Sequence, residues 1–204
     1  GVTADGVTYN NHVDGSNVSL YAEGYKDNAF NTTTSEWTTN ADGKISRTVT
    51  KKCQYCGYQE DITEYQVKLT YDANGGEGAI DSATGAAGES VTVAENVFTR
   101  NNYTFTGWNT QADGKGTAYK AGDSFTLTDE DTVLYAQWNK LVTVSFDLCG
   151  HGGANIPSQT FVSGNKASEP TAPKEDGWVF GGWYTEKGCK YRFSFDSAVT
   201  SDIT

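Results

Sequence analysis

Methionine is absent from this 204-residue chain, and only two histidines and 15 basic residues are present against 26 acidic ones. Without Met, the flexible filler of many helical cores, a helix-based interior is disfavoured. The formal net charge of −11 disfavours a surface for the phosphate backbone of nucleic acids, which needs a basic face. Long apolar runs are also missing. Nothing approaches the roughly 18 consecutive apolar residues of a membrane helix, so no membrane insertion is expected. Gly1-Val2-Thr3 has neither a charged nor an apolar leader character, so no signal peptide is visible. The absent initiator Met suggests a processed or excised chain, for which an original export signal stays open. Finally, no segment of helical length keeps an apolar face at i, i+3, i+4, i+7.

What is present is strand chemistry. Gly 23, Tyr 12, Phe 9 and Trp 5 accompany abundant Thr, and Gly/Asn/Asp clusters punctuate the aromatic and β-branched runs. This predicts a mostly β fold of short strands and tight turns. An even count of four cysteines, Cys53, Cys56, Cys149 and Cys189, fits an extracellular, disulfide-permissive setting.

An internal repeat organises the second two-thirds of the chain. Tyr71-Asp72-Ala73-Asn74-Gly75-Gly76 matches Phe146-Asp147-Leu148-Cys149-Gly150-His151, and Tyr103-Thr104-Phe105-Thr106-Gly107-Trp108 matches Trp178-Val179-Phe180-Gly181-Gly182-Trp183, both at an offset of 75 residues. Period-2 alternation puts Val67, Leu69 and Tyr71 on one face, and Val142–Phe146 repeats it. Asn74-Gly75-Gly76 supplies residues that tolerate positive φ in a tight turn. Tyr103 and Phe105 should share a row that Gly107 continues without a side chain, where another element comes close. Trp108 should point to the opposite side as a core or inter-strand anchor. Phe125–Leu127 and Val133–Trp138 read as further strands, the latter with Leu134, Ala136 and Trp138 on one face.

Phe/Tyr-Asp-x-Asn-Gly-Gly, Tyr-x-Phe-x-Gly-Trp and Asp-Thr-Val-Leu-Tyr-Ala-Gln-Trp, in that order, resemble the internalin B-repeat, also called the Listeria–Bacteroides repeat. The resemblance implies tandem small β-grasp-like modules on exported, cell-wall-attached bacterial surface proteins, with a spacer or adhesion role and no catalytic residues. It covers 67–139 as a first repeat and 140–204 as a second, joined by Asn139-Lys140-Leu141 with restricted motion. The second aligns Asp202-Ile203-Thr204 with Asp131-Thr132-Val133 at an offset of 71. The counterpart of Leu134–Trp138 would thus fall past Thr204. An open edge beside Val142–Phe146, or a substitute strand there, is expected, with a natural continuation of about ten residues as the favoured supply. Trp108 and Trp183 should occupy equivalent environments.

Residues 1–35 form a strand-rich segment, with fragments at Val7–Tyr9 and Val18–Tyr21, of a preceding domain. Residues 36–66 form a small module, with an Asp42-Gly43 hairpin turn and Cys53-x-x-Cys56-Gly57. Together with Trp37, Arg47 and Glu60 these are similar to short Trp/Cys-x-x-Cys-Gly modules of clostridial-type surface proteins.

The candidate sites have plain readings beside the chemical ones. Cys53 and Cys56 favour a local disulfide over zinc, for which His12 and His151 give too few companions, and over a redox pair, which lacks a βαβ context. Cys149 and Cys189 correspond to Asn74 and Gly114. Both are present in one repeat and both absent from the other, as a bonded pair would be. His151 lies alone in a Gly-rich turn with no partner suggested by spacing. Gly75-Gly76-Glu77-Gly78 lacks the Lys-Ser/Thr of a phosphate loop. Asp129-Glu130-Asp131 reads as a solvated turn rather than a calcium loop. No catalytic residue, metal or cofactor is expected. The expected function is that of a non-enzymatic bacterial cell-surface spacer, a monomer within a longer multi-repeat chain. The alternative is an adhesin that binds a host surface protein or glycan through Trp178, Trp183 and Tyr184.

Overall fold

The computed structural model describes residues 2–4, 7–9, 30–54, 58–151 and 153–204. Among them all regular structure is strand. Among the described residues no helix is long and apolar enough to cross a membrane. Two compact units are present. The first comprises Gly1–Thr70, Ser82–Thr92 and Ser124–Thr132, the second Tyr71–Asp81, Val93–Asp123 and Val133–Thr204.

In the first unit, β1 (Val2–Ala4) pairs antiparallel with β2 (Val7–Tyr9). The strand expected at Val18–Tyr21 lies outside the described residues. β3 (Phe30–Thr34) and β4 (Thr38–Thr39) both pair with β5 (Ile45–Cys53). The β4–β5 turn closes as Asp-Gly chemistry dictates: Gly43 has φ 83°, and Asp42 Oδ1 accepts the Lys44 N–H at 3.1 Å. β5 also pairs with β6 (Gln59–Asp72), whose Gln66–Leu69 stretch pairs with β7 (Ala83–Ala86). β8 (Ser90–Thr92) pairs with β11 (Ser124–Thr126). Val67 and Leu69 are buried, as their alternation requires. β6 runs unbroken through Gln66–Val67, where the repeat begins. Arg47 gathers this unit's charges. Its guanidinium donates to Glu64 at 2.8 Å and Glu89 at 2.6 Å and lies 4.5 Å from the Trp37 ring centroid, a favourable cation–π distance.

In the second unit β9 (Tyr103–Asn109) pairs with β10 (Ala118–Tyr119) and with β12 (Thr132–Val144), which continues to β13 (Gln159–Val162). β12 includes Asn139-Lys140-Leu141, so the link expected between the repeats is itself strand. Leu134 and Ala136 are fully buried on one face. The β9–β12 ladder slips: Gln137 faces Gly107, yet Trp138 faces Phe105. Thr106 is the extra residue of a β-bulge, with Gly107 at φ 146°. A bulge shifts the side-chain alternation by one residue. It overturns the expectation that Phe105 and Trp108 point apart, because their ring centroids lie 5.1 Å apart. The close approach expected at Gly107 is present: a Cβ there would lie 3.2 Å from the Tyr119 carbonyl oxygen.

Trp108 is 1% exposed and is packed by Tyr71, Phe98 and Phe105. Its indole N–H donates to the Ala94 carbonyl at 3.0 Å, and the Ala94 N–H donates to the Tyr71 hydroxyl at 2.9 Å. The second repeat reproduces part of this. Trp183 packs on Phe146 and Phe180, each 5.1 Å away. Val142, Val144, Ala167 and Val199 form a buried cluster beside them. Trp183, however, is only half-buried, and its buried indole N–H has no partner.

Two outcomes test this packing. Trp108→Ala should lose about 3–5 kcal/mol in urea unfolding, whereas Trp108→Phe, which keeps much of the buried aromatic area, should lose less. Glu89 is held below its ordinary value of 4.5 by the Ala86 N–H and then by Arg47. A carboxylate with a depressed folded-state pKa stabilises fully above its unfolded value. That contribution fades as pH falls from about 4.5 through the lower folded value. Glu89→Gln should flatten this acid-side loss in unfolding midpoints measured between neutral and acid pH.

Candidate functional site

Equivalent tight turns of the two repeats are closed by equivalent hydrogen bonds. In the first, Ala73-Asn74-Gly75-Gly76 closes with Gly76 N–H to the Ala73 carbonyl at 3.0 Å, and Asn74 (φ 48°) and Gly75 (φ 87°) are both left-handed. Asp72 Oδ1 accepts the Asn74 N–H at 2.7 Å. The Asn74 side-chain amide then donates to the carbonyls of Ala112 (2.9 Å) and Ala136 (2.8 Å), tying this turn to the Gln111–Gly114 turn and to β12. In the second repeat His151 N–H bonds the Leu148 carbonyl at 2.9 Å. Asp147 Oδ1 accepts the Cys149 N–H at 2.8 Å, and Cys149 has φ 54°. The amide bridge is gone. An ion pair of Lys187 with Asp147 at 3.3 Å stands near its place. The Cys149 N–H, and then Lys187, hold the Asp147 carboxyl below its ordinary range.

Strand positions diverge further along. Lys68 N–H donates to Asp131 Oδ1, and Thr143 N–H to Asp202 Oδ1, both at 2.8 Å. The two aspartates thus do one job, at the 71-residue offset. Asp131 is thereby a backbone staple within its charged turn. On the far side of Val144, Ile203 forms a parallel bridge, with Ile203 N–H to the Thr143 carbonyl at 3.0 Å and Ser145 N–H to the Ile203 carbonyl at 2.8 Å. Residues 178–183 carry no regular strand; a bridge of Tyr184 with Arg192 follows them. The counterpart β9 is held by its ladder with β12, and no such ladder reaches 178–183 among the described residues.

Between these segments lies a cavity of about 370 Å³, walled by Val144, Phe146, Phe180, Trp183, Phe193 and Ile203. Its rim carries Asp147, Cys149, His151, Glu175, Trp178, Glu186, Lys187 and Cys189. His151 Nδ1 lies 3.0 Å from Glu175 Oε2, and its ring centroid is 4.1 Å from that of Trp178. Glu186 Oε1 accepts the Tyr191 N–H at 2.7 Å, while its other oxygen is buried without a partner. Ile203 and Thr204 close one side of the cavity; in the first repeat Phe105, the counterpart of Phe180, is covered by Trp138 of β12 at 5.7 Å. Among the described residues no His/Cys/Asp/Glu cluster could hold a metal ion.

The sequence candidates are distributed unevenly. Cys149 and Cys189 are exposed free thiols on the cavity rim. Cys53 is buried at the end of β5, its N–H bonded to the Tyr58 carbonyl at 2.7 Å; Cys56 and His12 lie outside the described residues. Trp178 is 63% exposed, whereas Trp183 and Tyr184 are half-buried, with the Tyr184 hydroxyl donating to the Gly181 carbonyl. Sequence reasoning left Glu175 unlinked to His151, and it assigned no role to the Asn74 amide. The second had a signal, since Asn74 is the residue that changes to Cys149.

The pattern that defines the Listeria-Bacteroides repeat domain matches residues 68–137 and 143–204. Internalin H of Listeria monocytogenes is 35% identical over 126 residues, 56% of this chain and 22% of that protein. Two proteins of Evansella cellulosilytica are also similar. A "Putative Gly-rich membrane protein" is 34% identical over 109 residues, 53% of this chain and 12% of its own length. A "Putative membrane protein" is 37% identical over 83 residues, 39% of this chain and 12% of its own length.

Asn74→Ala should remove both bridges and place a β-carbon residue without a polar arm in a left-handed turn. The expected loss is about 2 kcal/mol in chemical unfolding, with Asn74→Gly, which suits the left-handed backbone but has no amide donor, falling between.

Proposed function

The chain belongs to the Listeria–Bacteroides repeat family of bacterial surface proteins, and on that premise we propose that it is a non-catalytic spacer segment that holds other domains away from the cell. One observation carries this reading. The family's motif residues serve the interior: Trp108 is 1% exposed, with its only polar group bonded to a main-chain carbonyl. A binding aromatic is instead exposed in part and shaped to a ligand. Within this proposal the segments are 1–35 as part of a preceding domain, 36–66 as a small Trp/Cys-x-x-Cys-Gly surface module, and 67–139 and 140–204 as the two repeats. The chain acts as a monomeric stretch of a longer multi-repeat protein.

A second reading, an adhesin module, has its own support. Trp178 and Val179 are 63% and 94% exposed beside the apolar cavity. Trp178, with Trp183 and Tyr184, would then contact a host protein or glycan.

The two readings separate in one experiment. The chain is placed between a bacterial surface anchor and a short epitope, and antibody access is measured beside glycan and matrix-protein binding. A spacer raises epitope access above that of a direct fusion, and Trp178→Ala leaves that gain unchanged. Saturable ligand binding abolished by Trp178→Ala, without a gain in access, replaces the spacer with the adhesin.

A further inference from the structure

Four non-glycine residues among those described have positive φ: Asn74, Asn102, Cys149 and Cys189. Two are Asn, whose short polar side chain compensates a left-handed backbone locally. The other two are both Cys, at φ 54° and 53°, and a thiol offers no such compensation. Their positions are not independent. The Cys149 turn is the counterpart of the Asn74 turn, with the same closing bond. The Cys189 turn is that of Gly114: Cys189 N–H bonds the Glu186 carbonyl at 3.2 Å, as Gly114 N–H bonds that of Gln111 at 3.0 Å.

In the first repeat those two turns are bridged by a side chain, from the Asn74 amide to the Ala112 carbonyl at 2.9 Å. In the second the bridging amide is replaced by Cys149, and the second cysteine appears on the partner turn. Both thiols are exposed, and both line the same cavity. An ion pair of Lys187 with Asp147 at 3.3 Å spans the two turns. Each member of that pair stands two residues before a cysteine, and the Cys189 thiol lies 3.7 Å from the Lys187 carbonyl oxygen.

We infer that Cys149 and Cys189 form an intrachain disulfide that takes over the turn-to-turn bridge made in the first repeat by the Asn74 amide. This inference does not depend on the spacer reading. The bond forms by exchange with an external low-molecular-weight disulfide. One cysteine, as thiolate, attacks it and expels a thiol. The second cysteine, having lost its proton, attacks the resulting mixed disulfide and expels the other. Two protein thiols are oxidised, one external disulfide is reduced to two thiols, and both protons pass to the released thiolates. Exposure of both sulfurs lets such an oxidant reach them.

The test uses the whole chain, reduced and then equilibrated with oxidised and reduced glutathione. Remaining thiols are alkylated, and the protein is digested with trypsin without reduction. Cleavage after Lys and Arg separates the cysteines into peptides 141–166, 188–190 and 53–68, so a Cys149–Cys189 link differs in mass from any link to 53–68. The expected product is 141–166 joined to 188–190 in a monomeric chain. Its formation should raise the melting temperature by roughly 10 °C, a shift absent from both Cys149→Ser and Cys189→Ser. Alkylated thiols at both positions, a link from either to 53–68, or a link between two chains would each overturn the inference.

Discussion

The indole of Trp108 has to be dry and hydrogen-bonded at once, and much of the first repeat is arranged around that requirement. Burying a large aromatic is strongly favourable, but an unpaired N–H in the interior costs roughly 1–3 kcal/mol. The Ala94 carbonyl meets that need at 3.0 Å, and the Tyr71 hydroxyl holds the same residue by its N–H. Tyr71, Phe98 and Phe105 surround the ring. Phe105 reaches it because the bulge at Thr106–Gly107 turns it to the same side. A glycine in the left-handed region with another main chain close by is thus the backbone condition for an aromatic core.

The second repeat shows what happens when part of this arrangement changes. Phe146 and Phe180 keep the positions and tilts of Tyr71 and Phe105 against the indole. Phe146 has no hydroxyl, and the position corresponding to Phe98 is Pro173. Trp183 is half-buried with its N–H unpaired, and a cavity lies along the same wall, whereas in the first repeat Phe105, the counterpart of Phe180, is covered by Trp138 of β12. The buried cluster of Val142, Val144, Ala167 and Val199 is maintained, so the module has its aliphatic floor while its aromatic side is looser.

A good deal of this was legible from particular residues. The turn at Asn74-Gly75 follows from two residues that tolerate left-handed φ. The shared face of Val67 with Leu69, and that of Leu134 with Ala136, follow from period 2. The equivalence of Asp202 with Asp131, despite the changed offset, was readable from the local Asp-Ile/Thr pattern, and both carboxylates do accept the same backbone donor. Less was legible at the cavity rim. Glu175 reaches His151 across 24 residues and Arg47 reaches Glu89 across 42, and neither pair is marked by spacing.

By itself the sequence determined the β class, the repeat, the tight turns and the inward faces of the strands, because backbone chirality and side-chain alternation act over two to four neighbouring residues. Only the tertiary structure decided where that alternation breaks. Phe105 and Trp108 meet because the ladder with β12 slips by one residue, and a slip is a property of two strands together. It likewise decided that one indole N–H is paired and its counterpart is not, since a hydrogen bond depends on which carbonyl the distant chain delivers. The cavity walls have the same origin: Phe146, Phe180, Phe193 and Ile203 come from distant stretches of the chain that only the fold brings together.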